Sequence, residues 1–155
     1  MSDDSSGNQI VRRAASSDAV QISVCLLELG YGTPPELVSQ KLALLAGSEY
    51  DVVFVADNSL RPGLIGVVSA HVFPLFHAPG QITRVTSLAV RGEARGKGVG
   101  RNLMAAVETW SWNVGARRIE VTSGDHRPDA HAFYQAIGYS LDERRFIKHA
   151  PAKVG

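Results

Sequence analysis

Cysteine is almost absent from this chain. Among 155 residues there is one, Cys25, so no internal disulfide can form. Cys25 lies in an apolar helical stretch, where a thiol reads as a small buried hydrophobe, with a catalytic thiol as the alternative. Surplus charge is missing as well. A net charge of +1 lacks the basic excess of a nonspecific nucleic-acid surface, so no nucleic-acid partner is expected. No apolar run approaches the ~18 residues of a membrane span, which excludes a membrane role through such a helix. Residues 1–8 are polar and acidic with no apolar signal core, so a cytoplasmic location is expected. Metal-ligand spacing is missing too. None of the five histidines pairs with cysteine or a carboxylate at ligand spacing, so no metal is expected.

What is present is ordinary for a globular protein: 45% apolar and 20% charged residues, in a length that supports one sizeable core. The reading is a disordered tail over 1–8, a single domain over 9–149 and a frayed tail over 150–155. The centre of the chain is the stretch from Gln81 to Gly115. Ile82 to Val90 is an apolar, β-branched run suited to a buried strand. Arg95-Gly96-Lys97-Gly98-Val99-Gly100 follows, and then Val99, Leu103, Val107, Trp110 and Val114 recur at helical spacing.

Around this centre the order is clear. Gln9 to Ala14 reads as a strand, and Ser16-Ser17-Asp18 as a cap cluster before an apolar helix ending at Gly30 or Gly32. Thr33-Pro34-Pro35-Glu36 reads as a capping box opening a second helix that stops at Gly47. Asp51 to Ala56 and Leu64 to Phe73 form a hairpin. Arg118 to Thr122 is a short strand after the central helix, which implies a parallel crossover. Pro128 to Gly138 reads as a last helix and Tyr139 to Lys148 as a closing strand. The class is α+β, with a mostly antiparallel sheet, one parallel pair at the glycine turn and helices on both faces. Trp110 continues the apolar stripe of the central helix; Trp112 lies off it, which suits a dimer contact.

Three alternating glycines at the mouth of a helix leave amides reachable where the helix dipole concentrates positive charge. Arg95 and Lys97 add cations. This chemistry suits an anion, with phosphate as the usual guest. A plain structural turn is the competing reading. The P-loop pattern of Gly-x4-Gly-Lys-Ser/Thr is absent. The dinucleotide fingerprint is met at Gly96 and Gly98 but has Arg101 at its third glycine, with Glu120 near the distance of its acidic residue.

Arg95-Gly96-Lys97-Gly98-Val99-Gly100 resembles the Arg/Gln-x-x-Gly-x-Gly/Ala signature of the GCN5-related N-acetyltransferases. Leu88-Ala89-Val90 is similar to that family's strand end. Ala130-His131-Ala132-Phe133-Tyr134-Gln135-Ala136-Ile137-Gly138-Tyr139 resembles its second element. The likeness spans about residues 9–148. It implies a twisted, mixed, mostly antiparallel sheet of six to seven strands with about four helices, and acetyl transfer from acetyl-CoA to an amine.

Carried over residue by residue, the resemblance implies that Arg95, Gly96, Lys97, Gly98, Val99, Gly100 and Arg101 cradle the coenzyme's diphosphate. The preceding strand splays from its parallel neighbour, and the pantetheine arm bonds to backbone at Leu88, Ala89 and Val90. A backbone N–H there can polarise the thioester carbonyl. Tyr134 aligns with the family's proton donor to the leaving thiolate; a core aromatic is its other reading. Tyr139 aligns with a structural aromatic. Arg127 stands where many relatives carry asparagine, and suits a phosphate, a substrate carboxylate or a helix cap.

A base for the attacking amine is not evident. Many relatives carry a glutamate on the central strand, whereas this one reads Arg84-Val85-Thr86-Ser87. Glu28, His71, His77, Glu120 and water ordered by Thr86 or Ser87 stay open. Two principal functional classes follow. One is an N-acetyltransferase acting on a small-molecule or peptide amine. The other is an acyl-CoA-binding sensor without turnover, and a nucleotide-phosphate domain is a weaker third.

Overall fold

A computed structural model describes residues 9–58, 62–122, 128–142 and 145–152. The chain forms two compact units, residues 1–122 and 123–155.

The first unit is built on a sheet of five strands in sequential order: β1 (Gln9–Arg13), β2 (Asp51–Asn58), β3 (Leu64–Pro74), β4 (Gln81–Val90) and β5 (Ala116–Val121). The first four pair antiparallel and β4 pairs with β5 in parallel. Helices α1 (Ala19–Leu26) and α2 (Pro35–Leu45) follow β1, and α3 (Val99–Asn113) makes the crossover from β4 to β5. The second unit holds α4 (Pro128–Ala136). The α+β class, the mixed sheet and the four helices match the sequence reading.

The strand number does not. Among the described residues there are five strands rather than six to seven. The expected closing strand over Tyr139 to Lys148 is absent from its described part, 139–142 and 145–148. The physical reason lies in Asp142 to Arg145. Four consecutive charged residues leave no alternating apolar positions to bury, and Leu141, Phe146 and Ile147 are exposed.

The start of α2 also differs. Its cap is Pro34, with Pro35 as first helical residue and no side-chain cap bond, so Thr33 caps nothing. The Thr33 carbonyl accepts a hydrogen bond from the Ser23 hydroxyl, tying the connection back to α1. Proline at the first helical position loses no bond, because that N–H has no partner in a helix.

Strand alternation divides the core in two. On one face Ile22, Cys25 and Val38 pack against Val55, Val67 and Ala89. On the other lies α3, with Val99, Leu103, Met104, Val107 and Trp110 buried and Trp112 exposed. Each fully buried aliphatic side chain stabilises by about 1.5–3 kcal/mol. α3 approaches the sheet closely at Gly66. A Cβ there would lie 2.9 Å from Leu103 Cδ1 and 3.2 Å from the Ala89 carbonyl oxygen. Gly66→Ala is therefore expected to cost about 1–3 kcal/mol of overpacking, read as a lower urea midpoint at unchanged slope.

The entry to α1 is pinned by Asp18. Its carboxylate takes both terminal nitrogens of Arg12 at 2.8 and 2.9 Å and the Ala15 N–H at 2.7 Å. The guanidinium, ahead of the backbone N–H, holds the carboxyl below the usual range despite its burial. The stabilisation is present above the unfolded carboxyl value of about 3.9 and disappears as pH falls through the lower native value. Urea unfolding of Asp18→Asn should show a deficit against the parent at pH 7 that narrows progressively below about pH 4.

Candidate functional site

The site begins where β4 outlasts its partner. The parallel ladder runs from Gln81↔Ala116 to Val85↔Val121 and stops, while β4 continues to Val90. Beyond Val85, β4 is paired through Ser87, Leu88, Ala89 and Val90 with β3 on one side. Among the described residues, β4 thus runs five residues past its last pair with β5. Ala89 is buried, and Leu88 and Val90 are half-buried.

After β4 the chain turns through Gly92–Ala94 and reaches the glycines. Gly96 has φ 77° and Gly98 φ 81°, left-handed values that cost a side chain about 1–2 kcal/mol. A Cβ on either would meet nothing within 4 Å, so these glycines answer to backbone conformation and leave open space in front of the turn. Gly98 is the cap of α3, and its carbonyl accepts the Asn102 N–H at 3.0 Å. The N–H groups of Val99, Gly100 and Arg101 are first-turn amides with no carbonyl partner inside the helix. The Val99 side chain is buried in the core, so only its amide can serve a ligand. Arg95, Lys97 and Arg101 are exposed around this opening.

Two side chains hold the turn. Glu28, in the 3-10 turn after α1, accepts the Gly92 N–H at 2.8 Å and Arg95 Nη2 at 2.9 Å. Gln9, at the start of β1, donates from Nε2 to the Lys97 carbonyl at 2.7 Å and accepts Asn102 Nδ2 at 2.9 Å. Sequence reasoning missed Gln9 and Asn102 and read Glu28 as a possible base. No local pattern signals a bond across 88 residues. Arg95 is likewise an ion-pair partner of Glu28 before it is a ligand for anything else.

A pocket of about 290 Å³ lies between α1, α2 and the sheet. Ile22 and Leu26 line it from α1, and Val38, Leu42 and Leu45 from α2. Val53, Val67, Ser69 and His71 line it from the sheet. Thr86 and Ser87 join that wall together because of a bulge. The β3–β4 register passes from Ser69↔Ser87 to Ala70↔Val85 and leaves Thr86 as the extra residue. Thr86 Oγ1 lies 2.7 Å from Ser69 Oγ. Both Thr86 and Ser87 thus belong to the pocket wall and to the splayed part of β4.

The base candidates separate clearly. Glu120 is held by Arg84 at 2.8 Å and Arg118 at 3.0 Å, and Arg84 leads in keeping its carboxyl below the usual range, which makes it a weak proton acceptor. His77 is exposed in the β3–β4 loop. Of His71, His77, Tyr31 and Glu28, only His71 stands in the pocket wall. Cys25 is fully buried, with Sγ 3.6 Å from the Leu64 carbonyl oxygen, and burial pushes its thiol up to about 11, so it stays a thiol.

Arg127 and His126 lie outside the described residues. In the second unit Tyr134 sits with its ring 5.1 Å from Phe133 and 6.0 Å from Tyr139. Burial pushes its phenol up to about 12, so it keeps its proton through the physiological range. No group of three or more His, Cys, Asp or Glu side chains among the described residues could hold a metal ion.

Comparison with known proteins agrees with this fold. The family model for the Acetyltransferase (GNAT) family matches residues 25–139. The aminoalkylphosphonate N-acetyltransferase of Salmonella typhimurium is 36% identical over 92 residues, 58% of this chain and 59% of that protein. The chain therefore matches about three fifths of that relative's length. A transcriptional regulator from Bacillus halodurans C-125 superposes with a TM-score of 0.81 at 19% identity, over 92% of this chain and 99% of the other. The aminoglycoside N-acetyltransferase AAC(6')-Iy, solved in complex with CoA, gives 0.79 at 18% identity, over 93% and 95%. This chain belongs to the GNAT acetyltransferase family.

Removing the Glu28 tether should loosen the glycine turn. Glu28→Ala is expected to lose about 1 kcal/mol of stability and to speed hydrogen exchange at Gly92, with the amides of β2 unchanged.

Proposed function

We propose that this chain transfers an acetyl group from acetyl-CoA to a primary amine of a small molecule or peptide by direct attack. The observation that carries the reading is the adjacency of a left-handed glycine turn, opening onto first-turn amides, to a strand that outlasts its parallel partner. A diphosphate suits the first and a thin amide-bearing arm the second. Family membership supports the reaction class, and the CoA in a neighbour of the same fold supports the donor.

In this reading the amides of Gly96 to Arg101 and the cations of Lys97 and Arg101 take the diphosphate. Arg95 contributes while shared with Glu28, and Arg127 is assigned to a phosphate or a substrate carboxylate on its sequence position alone. Leu88, Ala89 and Val90 offer backbone bonds to the pantetheine arm. The apolar pocket ending at Thr86 and Ser87 takes the acceptor. Tyr134 gives its proton to the departing thiolate; that role rests on the motif around it.

The test is thiol release from acetyl-CoA over a panel of amines. We expect release by the unaltered protein. Gly98→Val should weaken coenzyme A binding at least tenfold by calorimetry, because a β-branched residue cannot hold the left-handed cap. Tyr134→Phe should lower kcat about a hundredfold at unchanged coenzyme affinity. Coenzyme binding without release on any amine would favour a sensor. A melting temperature raised by NAD and not by coenzyme A would favour a nucleotide domain.

A further inference from the structure

The splayed strand carries no carboxylate near its break, yet an amine acceptor must lose a proton before it can attack, since lysine-like amines titrate near 10.4. We propose that His71, held by Asp51, takes that proton in the pocket beneath α1 and α2. The inference rests on the acetyl-transfer reading and names the base that the reading lacks.

The geometry is that of a base with its orienter. Asp51 and His71 face each other across the β2–β3 ladder. Asp51 Oδ1 lies 2.7 Å from His71 Nδ1, and the other carboxylate oxygen accepts the Ser48 hydroxyl at 2.8 Å. Ser48 Oγ in turn accepts the Tyr50 N–H at 3.2 Å, so the carboxylate is anchored to backbone. A carboxylate on Nδ1 selects the tautomer with its hydrogen there and leaves the Nε2 lone pair for a ligand. The ring is fixed on a second side by Phe73, stacked at 6.0 Å and 20°.

Position supports the assignment. His71 stands two residues from Ser69 on the same face of β3. The Ser69–Thr86 hydroxyl pair therefore lies between the imidazole and Ser87, where β4 leaves β5. The charged groups around His71 are Asp51 from β2, Arg84 from β4, opposite it in register, and Lys41 from α2; α1 contributes Ile22 and Leu26 to the wall. Arg84 is engaged by Glu120 at 2.8 Å and lies over the Phe73 ring. The remaining walls are apolar, which suits an amine on a compact apolar body.

The acceptor ammonium gives one proton to Nε2, and the imidazolium later releases it to solvent. The freed lone pair forms the C–N bond, and the thioester carbonyl becomes an oxyanion. The C–S bond breaks as the carbonyl re-forms. The second nitrogen proton replaces the one that the thiolate receives, giving amide and free thiol.

The test measures kcat against pH, with coenzyme A affinity by calorimetry as the control. His71→Ala should lower kcat about 10²- to 10³-fold, abolish the acid limb of the profile, leave coenzyme affinity within twofold, and regain activity with added imidazole. Asp51→Asn, a positioning change, should lower kcat about tenfold while KM and coenzyme A affinity stay within twofold of the parent. An acid limb retained in His71→Ala, with kcat within threefold of the parent, would overturn this inference alone. Absence of thiol release by the unaltered protein on every amine would overturn the acetyl-transfer reading, and the inference with it.

Discussion

The structure depends on one broken pairing. β4 and β5 run in parallel as far as Val85 and Val121, and from Thr86 onward β4 has β3 as its partner. Backbone groups on the open side of a strand need hydrogen bonds from somewhere. The break does not arise from a weak strand. Ala89 is 3% exposed and lies in the core with Val67 and Val55, so β4 is held firmly while, among the described residues, its last five have no ladder partner on the β5 side. A rigid strand with an open edge can accept an extended ligand without paying to order itself first.

The second constraint is the turn that follows. Gly96 and Gly98 take left-handed conformations, and Gly98 caps the start of α3. That geometry is not left to the glycines alone. Glu28 reaches it from the 3-10 turn after α1 and Gln9 from the first strand, so two segments distant in sequence hold one loop. The bulge at Thr86 completes the arrangement by turning two consecutive hydroxyl side chains toward that pocket.

Most of this fold was legible in the sequence because it is written in local patterns. Short apolar runs marked β2, β3 and β4. The stripe Val99, Leu103, Val107 and Trp110 marked α3, and these four residues are buried together. Gly30, Gly47, Gly115 and Gly138 marked helix ends and carry positive φ. The closing strand misled, since an apolar residue on either side of Asp142 to Arg145 imitates a strand that those charges cannot bury. The glycine turn was legible for the same local reason, as alternating glycines beside cations. Its tethers were not, because Gln9 and Asn102 stand 93 positions apart and meet only through the fold. The Asp51–His71 contact is of that kind too, set by the β2–β3 register and by no motif.

The account reduces to an anion held by amides at the start of α3. The most direct measurement follows the amide resonances of a uniformly 15N-labelled sample during titration with coenzyme A. The account predicts saturable shifts concentrated at Gly96, Gly98, Gly100 and Arg101, extending to Leu88 and Ala89, with the amides of β1 and β2 unmoved. Saturable binding that shifts other amides and leaves Gly96 to Arg101 in place would contradict it.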